Sequence, residues 1–324
     1  VANHTNGNLK NVSARLQDES LYHDYMGYCN DADRYSVTHG RIGMWDLKTE
    51  DPRVQKILSA YIQSLKACGV DGIRWDAIKH VGLPSENDSF IANVVDQDMY
   101  NYGEILNTPG PNPDKLFKEY TQYMSVTDNT YGNDVTQAFA AGGTSKLKGN
   151  LVFRGIKGNK LVYWGESHDT YSNSGRDAWS KYVDQQFIDR SYAIMAGNND
   201  ATTLYYSRPL GKEAKDIIFG AKGSTHFTAP QVAEVNHMHN KCAGEPNCCV
   251  SNSDLMAQVR KSGAVVVLAG SNTDKTVTFA NGDGSGNWLK TGTYTDKVGG
   301  GKFKVTKTTI TGKVGSTGIA VLYK

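Results

Sequence analysis

The chain has 324 residues, 39% of them hydrophobic and 21% charged, enough to bury one large core or two smaller ones. No apolar run approaches the roughly 18–20 residues of a membrane-spanning helix, and the 18 tyrosines and apolar blocks argue against disorder. A net charge of +2 leaves no electrostatic footprint for nucleic acid.

Residues 5–45 are polar, rich in tyrosine and without a sustained period, so an irregular excursion is predicted there. Within it, Asn30-Asp31-Ala32-Asp33 resembles a calcium loop, as does Asn281-Gly282-Asp283-Gly284-Ser285-Gly286 later in the chain. Both lack a closing glutamate at loop spacing and are predicted to be turns. Asp51-Pro52 then opens a helix, Val54, Ile57, Leu58, Tyr61, Ile62 and Leu65 keep helical spacing, and Gly69 ends it. Strands are predicted at 72–75, 99–105, 123–127, 161–164 and 203–206, with helices near 135–141 and 187–196. This alternation argues for a parallel sheet with crossover helices. From about Asn252 the texture changes. Short alternating segments at 264–269, 276–279, 302–305 and 318–323, separated by Gly, Asn and Asp, predict an all-β module.

The five cysteines are Cys29, Cys68, Cys242, Cys248 and Cys249. An odd number closes no disulfide framework, and the spacing is poor for zinc. Cys242 is near enough to Cys248 or Cys249 for one local bridge. Cys68 is predicted to lie in the core, on the apolar side of its helix.

Three predicted strands end in acids: Asp76, Glu104 and Asp169. In a parallel α/β barrel such strand ends converge on one face, where neighbouring carboxylates push each other's pKa values apart. That suits glycoside hydrolysis, in which one carboxylate attacks the anomeric carbon and one carboxylic acid protonates the leaving oxygen. Acids in these places also serve as magnesium ligands or helix caps, and spacing alone leaves all three readings open.

The local motifs narrow the choice. Gly72-Ile73-Arg74-Trp75-Asp76-Ala77-Ile78-Lys79-His80 resembles the second conserved region of the α-amylase family, glycoside hydrolase family 13. Tyr102-Gly103-Glu104-Ile105-Leu106 resembles its third region, and Trp164-Gly165-Glu166-Ser167-His168-Asp169-Thr170-Tyr171 its fourth. Val1-Ala2-Asn3-His4 resembles the tail of the first region, and Met44-Trp45-Asp46-Leu47 the motif closing domain B. The order is the family's. Glu166 to Tyr171, Tyr206-Ser207-Arg208-Pro209 and Val321-Leu322-Tyr323 make the likeness closest to bacterial α-amylases of the Bacillus subtilis type.

The resemblance implies an α/β fold, a (β/α)8 TIM barrel with an irregular domain B insertion and a C-terminal antiparallel β-sandwich. The barrel would comprise 1–4 and 49–249, domain B 5–48 and the sandwich 250–324. A full barrel takes about 250 residues, and the first motif begins at Val1. The resemblance therefore implies an incomplete barrel, without its first two strands and most of the third, and a chain inactive by itself. It implies retaining endo-hydrolysis of α-1,4-glucosidic bonds in starch and maltooligosaccharides, with Asp76 as nucleophile, Glu104 as general acid and base, and Asp169 as transition-state stabiliser. Arg74 would keep Asp76 ionised, and Glu104 would have a raised pKa. His4 and His168 would bind the reacting sugar, while Lys79, His80 and Leu106 would line the leaving-group side. A calcium ion would take the side chains of Asn3 and Asp46 and the main-chain carbonyl of His80, with a carbonyl near Thr38 as a fourth donor. Ser167 argues against a chloride activator, and Gly165, in place of a commoner Val, predicts looser packing. A secreted monomer is implied. The alternatives are a transglycosylase or pullulan-type hydrolase of the same family, and a non-catalytic starch-binding relative, which would typically have lost one of the acids.

Overall fold

A computed structural model describes residues 9–24, 27–106, 108–143, 147–173, 175–218 and 220–324. The chain divides into two compact units, Val1–Thr127 with Val152–Leu161, and Asp128–Leu151 with Val162–Lys324.

The first unit holds α1 (Arg34–His39), α2 (Pro52–Ala67), β1 (Gly72–Trp75), α3 (Phe90–Val94), β2 (Tyr100–Gly103), α4 (Pro113–Tyr120), β3 (Ser125–Thr127) and a hairpin of β4 (Val152–Phe153) and β5 (Ile156–Lys157). α2 forms as its sequence predicts. The Asp51 carboxylate accepts the Arg53 N–H at 2.8 Å, Pro52 fills the first turn, and Gly69 leaves the helix at φ +87°. β1, β2 and β3 pair in parallel, with Trp75 opposite Gly103 and Gly103 opposite Val126. Glycine is required at 103. A Cβ there would stand 2.8 Å from the Met124 sulfur and would also strike Ile78.

The described residues between 9 and 48 form short 3-10 turns, bends and one short α-helix, as their aperiodic sequence predicts. They still share a core with α2. Leu9, Val12, Leu21 and Tyr22 pack on Val54 of that helix, with Trp45, Leu47, Ile57 and Leu58 around them. Asn30–Asp33 is a turn. The Asn30 side chain accepts the Ala32 N–H at 3.1 Å, and Asp33 caps α1.

Cys68 differs from expectation. It caps α2 and is exposed, because the helix ends at Ala67 and the chain leaves it through Gly69 at φ +87°. All five cysteines are free thiols.

The second unit holds α5 (Asn129–Ala140), β6 (Leu161–Trp164), α6 (His168–Ser172), α7 (Gln185–Ala196), β7 (Thr202–Leu204) and α8 (Pro230–Lys241). β6 and β7 pair in parallel, Trp164 opposite Leu204. Two antiparallel sheets complete the unit. One contains β8 (Cys248–Ser251), β9 (Leu255–Val259) and β10 (Gly263–Leu268). The other contains β11 (Thr276–Ala280), β12 (Gly292–Thr295), β13 (Lys302–Val305) and β14 (Thr309–Lys313). β15 (Ile319–Tyr323) returns to the first sheet, giving the orders β15-β10-β9-β8 and β11-β14-β13-β12.

The sandwich core runs through Leu255, Val266, Leu268, Phe279, Tyr294, Phe303, Ile310 and Leu322. β11 alternates exposed and buried residues, whereas β9 and β10 are buried at every position. The reason is that α7 and α8 pack on the back of the first sheet. A strand covered on both faces shows no alternation.

Packing around Gly165 is tight, which corrects the expectation of looseness. A Cβ there would collide with the Ser191 hydroxyl of α7 and lie 3.1 Å from the Thr136 hydroxyl of α5, and Thr136 donates to the Gly165 carbonyl at 3.2 Å. The room a valine would take is filled by two polar side chains.

Candidate active site

Because β1 and β2 are parallel and in register, the residues just beyond them leave the sheet side by side. The Glu104 N–H donates to the Trp75 carbonyl at 2.9 Å, and the Ile78 N–H to the Glu104 carbonyl at 3.1 Å. Two successive turns are thereby locked together. Arg74, near the end of β1, reaches across both. Its Nη1 donates to Asp76 Oδ1 at 2.5 Å and its Nη2 lies 2.9 Å from Glu104 Oε1. Burial works against the Arg74 charge, but the two carboxylates overcome it and hold its pKa above the ordinary value. Asp76 presents 54% of its side chain to solvent, and Glu104 only 7%.

One participant was not legible in the sequence. Ala77 sits at φ +49°, in the left-handed region a non-glycine residue rarely enters. From there its N–H donates to Glu104 Oε2 at 3.3 Å. Backbone strain thus coincides with a donor aimed at a candidate catalytic acid. Both Glu104 oxygens accept hydrogen in this arrangement.

Lys79 and His80 turn toward the 27–40 segment of the same unit. Lys79 is buried, with Nζ 2.8 Å from Asp31 Oδ1, so it is neither free nor a solvated charge. His80 Nδ1 lies 2.7 Å from the Val37 carbonyl, and burial holds its pKa below normal. Leu106 is exposed. The fastening residue is Arg34 on α1. Its guanidinium pairs with Glu86 at 2.7 and 2.8 Å and donates to the carbonyls of Lys79, Val81 and Pro109. Its partners lie 45 to 86 residues away in sequence, which is why no local pattern betrayed it.

Of the expected calcium ligands, Asn3 lies outside the described residues, as does His4 of the sugar site. Asp46 is described. Its Oδ2 is 2.6 Å from His23 Nδ1, while His23 Nε2 is 3.0 Å from Glu50 Oε1. Burial opposes charge on His23, but these two carboxylates prevail and raise its pKa to about 9. The oxygen donors His80 O and the neighbouring Val37–Thr38 carbonyls belong to segments held together by the His80–Val37 contact. A carboxylate and carbonyls suit a hard cation.

In the second unit, β6 delivers Glu166, Ser167, His168 and Asp169. Ser167 starts α6 with a reciprocal cap: its hydroxyl accepts the Thr170 N–H at 3.3 Å, and its own N–H donates to the Thr170 hydroxyl at 2.8 Å. Asp169 is partly exposed, 3.5 Å from His168 Nε2 and 3.3 Å from the Asn173 amide. Glu166 is fully buried and gripped by Arg208 at 2.7 and 2.8 Å; Arg208 also donates to the carbonyls of Ser180 and Val183. The sequence displayed both residues in separate motifs without revealing that one clamps the other.

No family model matches the chain. It is 27% identical over 381 aligned residues to an α-amylase of Butyrivibrio fibrisolvens, a match that takes in 99% of this chain and 37% of that protein. The chain is similar to α-amylases. It spans little more than a third of the length of that curated relative, a glycoside hydrolase. In fold it is similar to α-amylase I of Eisenia fetida, solved as a mutant with maltohexaose, with a TM-score of 0.68 at 15% identity over 92% of this chain and 70% of that one. It is also similar to a cyclomaltodextrin glucanotransferase with a three-domain ABC distribution, with a TM-score of 0.65 at 18% identity over 94% of this chain and 67% of that one. The parallel strands and the antiparallel sheets agree with an incomplete barrel and a β domain.

Proposed function

We propose that the chain carries the catalytic acids of a retaining, endo-acting α-amylase that hydrolyses α-1,4-glucosidic bonds in starch and maltooligosaccharides. The observation that carries this reading is the single guanidinium of Arg74 bridging Asp76 and Glu104. Retaining enzymes need their two carboxyl groups only about 5–5.5 Å apart, one exposed to attack and one shielded enough to hold a proton. Asp76 attacks the anomeric carbon while Glu104 gives its proton to the leaving oxygen. Glu104 then takes a proton from water, which displaces Asp76. For the first step Glu104 must be released from Arg74 Nη2 and take up a proton from solvent, which it then passes to the leaving oxygen. Asp169 and His168 hydrogen-bond the sugar hydroxyls as charge develops at the anomeric carbon, with His4 on the same sugar. Lys79, His80 and Leu106 border the leaving-group side, Lys79 through its pair with Asp31.

The test is release of reducing ends from soluble starch, with the product anomer followed by NMR. It is run on this chain and on a version lengthened at its N-terminus. Shortened glucans appearing first as the α-anomer are expected. The β-anomer overturns retention, and lengthened or cyclic products replace hydrolysis with transfer. Starch binding without any turnover in either version would leave a binding protein.

We read calcium as a further requirement, held by Asn3, the second oxygen of Asp46 and the main-chain carbonyl of His80, where it would tie residues 9–48 to the β1 end. Adding calcium to the stripped protein is expected to raise the thermal midpoint by several degrees. An unchanged midpoint would remove these ligands from the scheme. A secreted monomer completes the reading.

A further inference from the structure

His23, His39 and Glu50 lie in the first unit, apart from the catalytic acids Asp76 and Glu104. His23 comes just after the bridge that pairs Tyr22 with Leu47, His39 ends α1, and Glu50 stands just before α2. One ligand atom from each lies within 4.8 Å of the others. An ion pair of His23 with Asp46 and Glu50 accounts for three of the four side chains gathered there. It does not include His39, whose ring stacks on Tyr35 at 4.0 Å on one side and stands 4.2 Å from that of His23 at 39° on the other. Two imidazoles brought together repel if both are protonated.

Their outer partners explain the arrangement. His23 Nδ1 faces the Asp46 carboxylate at 2.6 Å, and His39 Nδ1 faces the Tyr35 carbonyl at 3.2 Å and the Thr38 hydroxyl at 2.8 Å. In each ring the acceptor at Nδ1 favours an N–H there and leaves Nε2 as the nitrogen for a metal, which in His23 takes the place of the proton shared with Glu50. This is how protein zinc ligands are oriented. The His23 Nε2 to Glu50 oxygen distances are 3.0 and 3.2 Å, close to the spacing of about 3.3 Å that tetrahedral zinc bonds of about 2.0–2.1 Å impose on neighbouring ligand atoms. His23 is 6% exposed and Glu50 41% exposed, so the site has a rigid inner side and an open mouth.

We propose that His23, His39 and Glu50 bind a divalent zinc ion through two imidazole nitrogens and a carboxylate, with Asp46 orienting His23 from behind. Imidazole donors select zinc over calcium. The ion closes a loop from residue 23 to residue 50 and clips the irregular segment to the start of α2, which stabilises it by mass action and by reduced chain entropy.

The proposal is tested by titrating the metal-free chain with zinc in the presence of excess calcium, its cysteines blocked by alkylation, and by recording the absorption of its cobalt(II) derivative. One zinc per chain is expected, with tetrahedral cobalt bands. His39→Ala and Glu50→Gln, both at solvent-accessible positions, should each weaken zinc binding at least about tenfold and dim those bands without unfolding the metal-free protein. His23→Ala should abolish binding, but its buried ion pair makes it the variant at risk of misfolding, so the other two decide. No stoichiometric zinc, or wild-type affinity in both His39→Ala and Glu50→Gln, overturns the site. Zinc binding is read without starch, so its failure and that of the amylase reading are separate results.

Discussion

In whichever version of the chain hydrolyses starch, Glu104→Gln should cut that hydrolysis by about 10²–10⁴-fold, which corresponds to roughly 3–5 kcal/mol of lost transition-state stabilisation. The fold should survive, because glutamine keeps the shape and its one carbonyl oxygen can still accept from the Ala77 N–H or from Arg74, though not from both. Asp76→Asn should cost at least as much, because an amide forms no glycosyl-enzyme. The two variants separate on a maltooligosaccharide with a good phenolate leaving group. Such a group departs without a proton, so Glu104→Gln should recover much of its first step while Asp76→Asn stays inactive. Equal loss on both substrates would take the acid role from Glu104. Normal starch hydrolysis by Asp76→Asn would take the nucleophile role from Asp76.

The largest stability effect is expected at Arg190. Its side chain is fully buried in α7, and burial pulls its pKa down to about 10. Its partners there are main-chain carbonyls: Leu268 at 3.3 Å, Asn272 at 2.9 Å, Thr317 at 3.3 Å, and Gly270. They bind the two ends of the β10 and β15 connections to the helix. Arg190→Met should cost about 3–5 kcal/mol, because several buried carbonyls lose their donors at once. In a unit of this size that lowers the thermal midpoint by roughly 6–20 °C. Arg190→Lys should recover little of it, since one ammonium cannot span carbonyls that a planar fork reaches together. A midpoint within about 2 °C of wild type would show that those carbonyls are satisfied some other way.

What the sequence showed and what it hid divide simply. α2 was legible because its start, stripe and stop are local: Asp51, Pro52, the Val54-to-Leu65 spacing, Gly69. Strands at 72–75 and 161–164 appeared where predicted because an apolar run ends in an acid. β9 was passed over because helices cover its outer face and erase the alternation that marks a half-buried strand. Cys68 was misplaced because a helical wheel does not know that its helix has already ended. Gly165 was misread because only the fold reveals that Ser191 and Thr136 occupy the space beside it. Among the candidate site residues, Arg74, Asp76 and Glu104 could be paired from strand ends alone. Ala77, Arg34 and the Glu166–Arg208 clamp could not, since one depends on a backbone torsion and the others on contacts made across long stretches of chain.

The helices on the back of the first β-sheet bear on how such a chain can change over evolution. A sandwich with solvent on both outer faces can be traded between genes as a self-contained bead. Here β10 and β15 have apolar outer faces covered by α7 and α8, Arg190 serves carbonyls of the strand connections, and Tyr323 near the end of the chain donates to Glu234 on α8 at 2.6 Å. The inheritable block is therefore larger than the β module. A recombination breakpoint just before β8 would hand the recipient a sheet with a bare greasy back and leave the donor with two helices facing water. Viable exchanges in this lineage should carry α7 and α8 along with the strands.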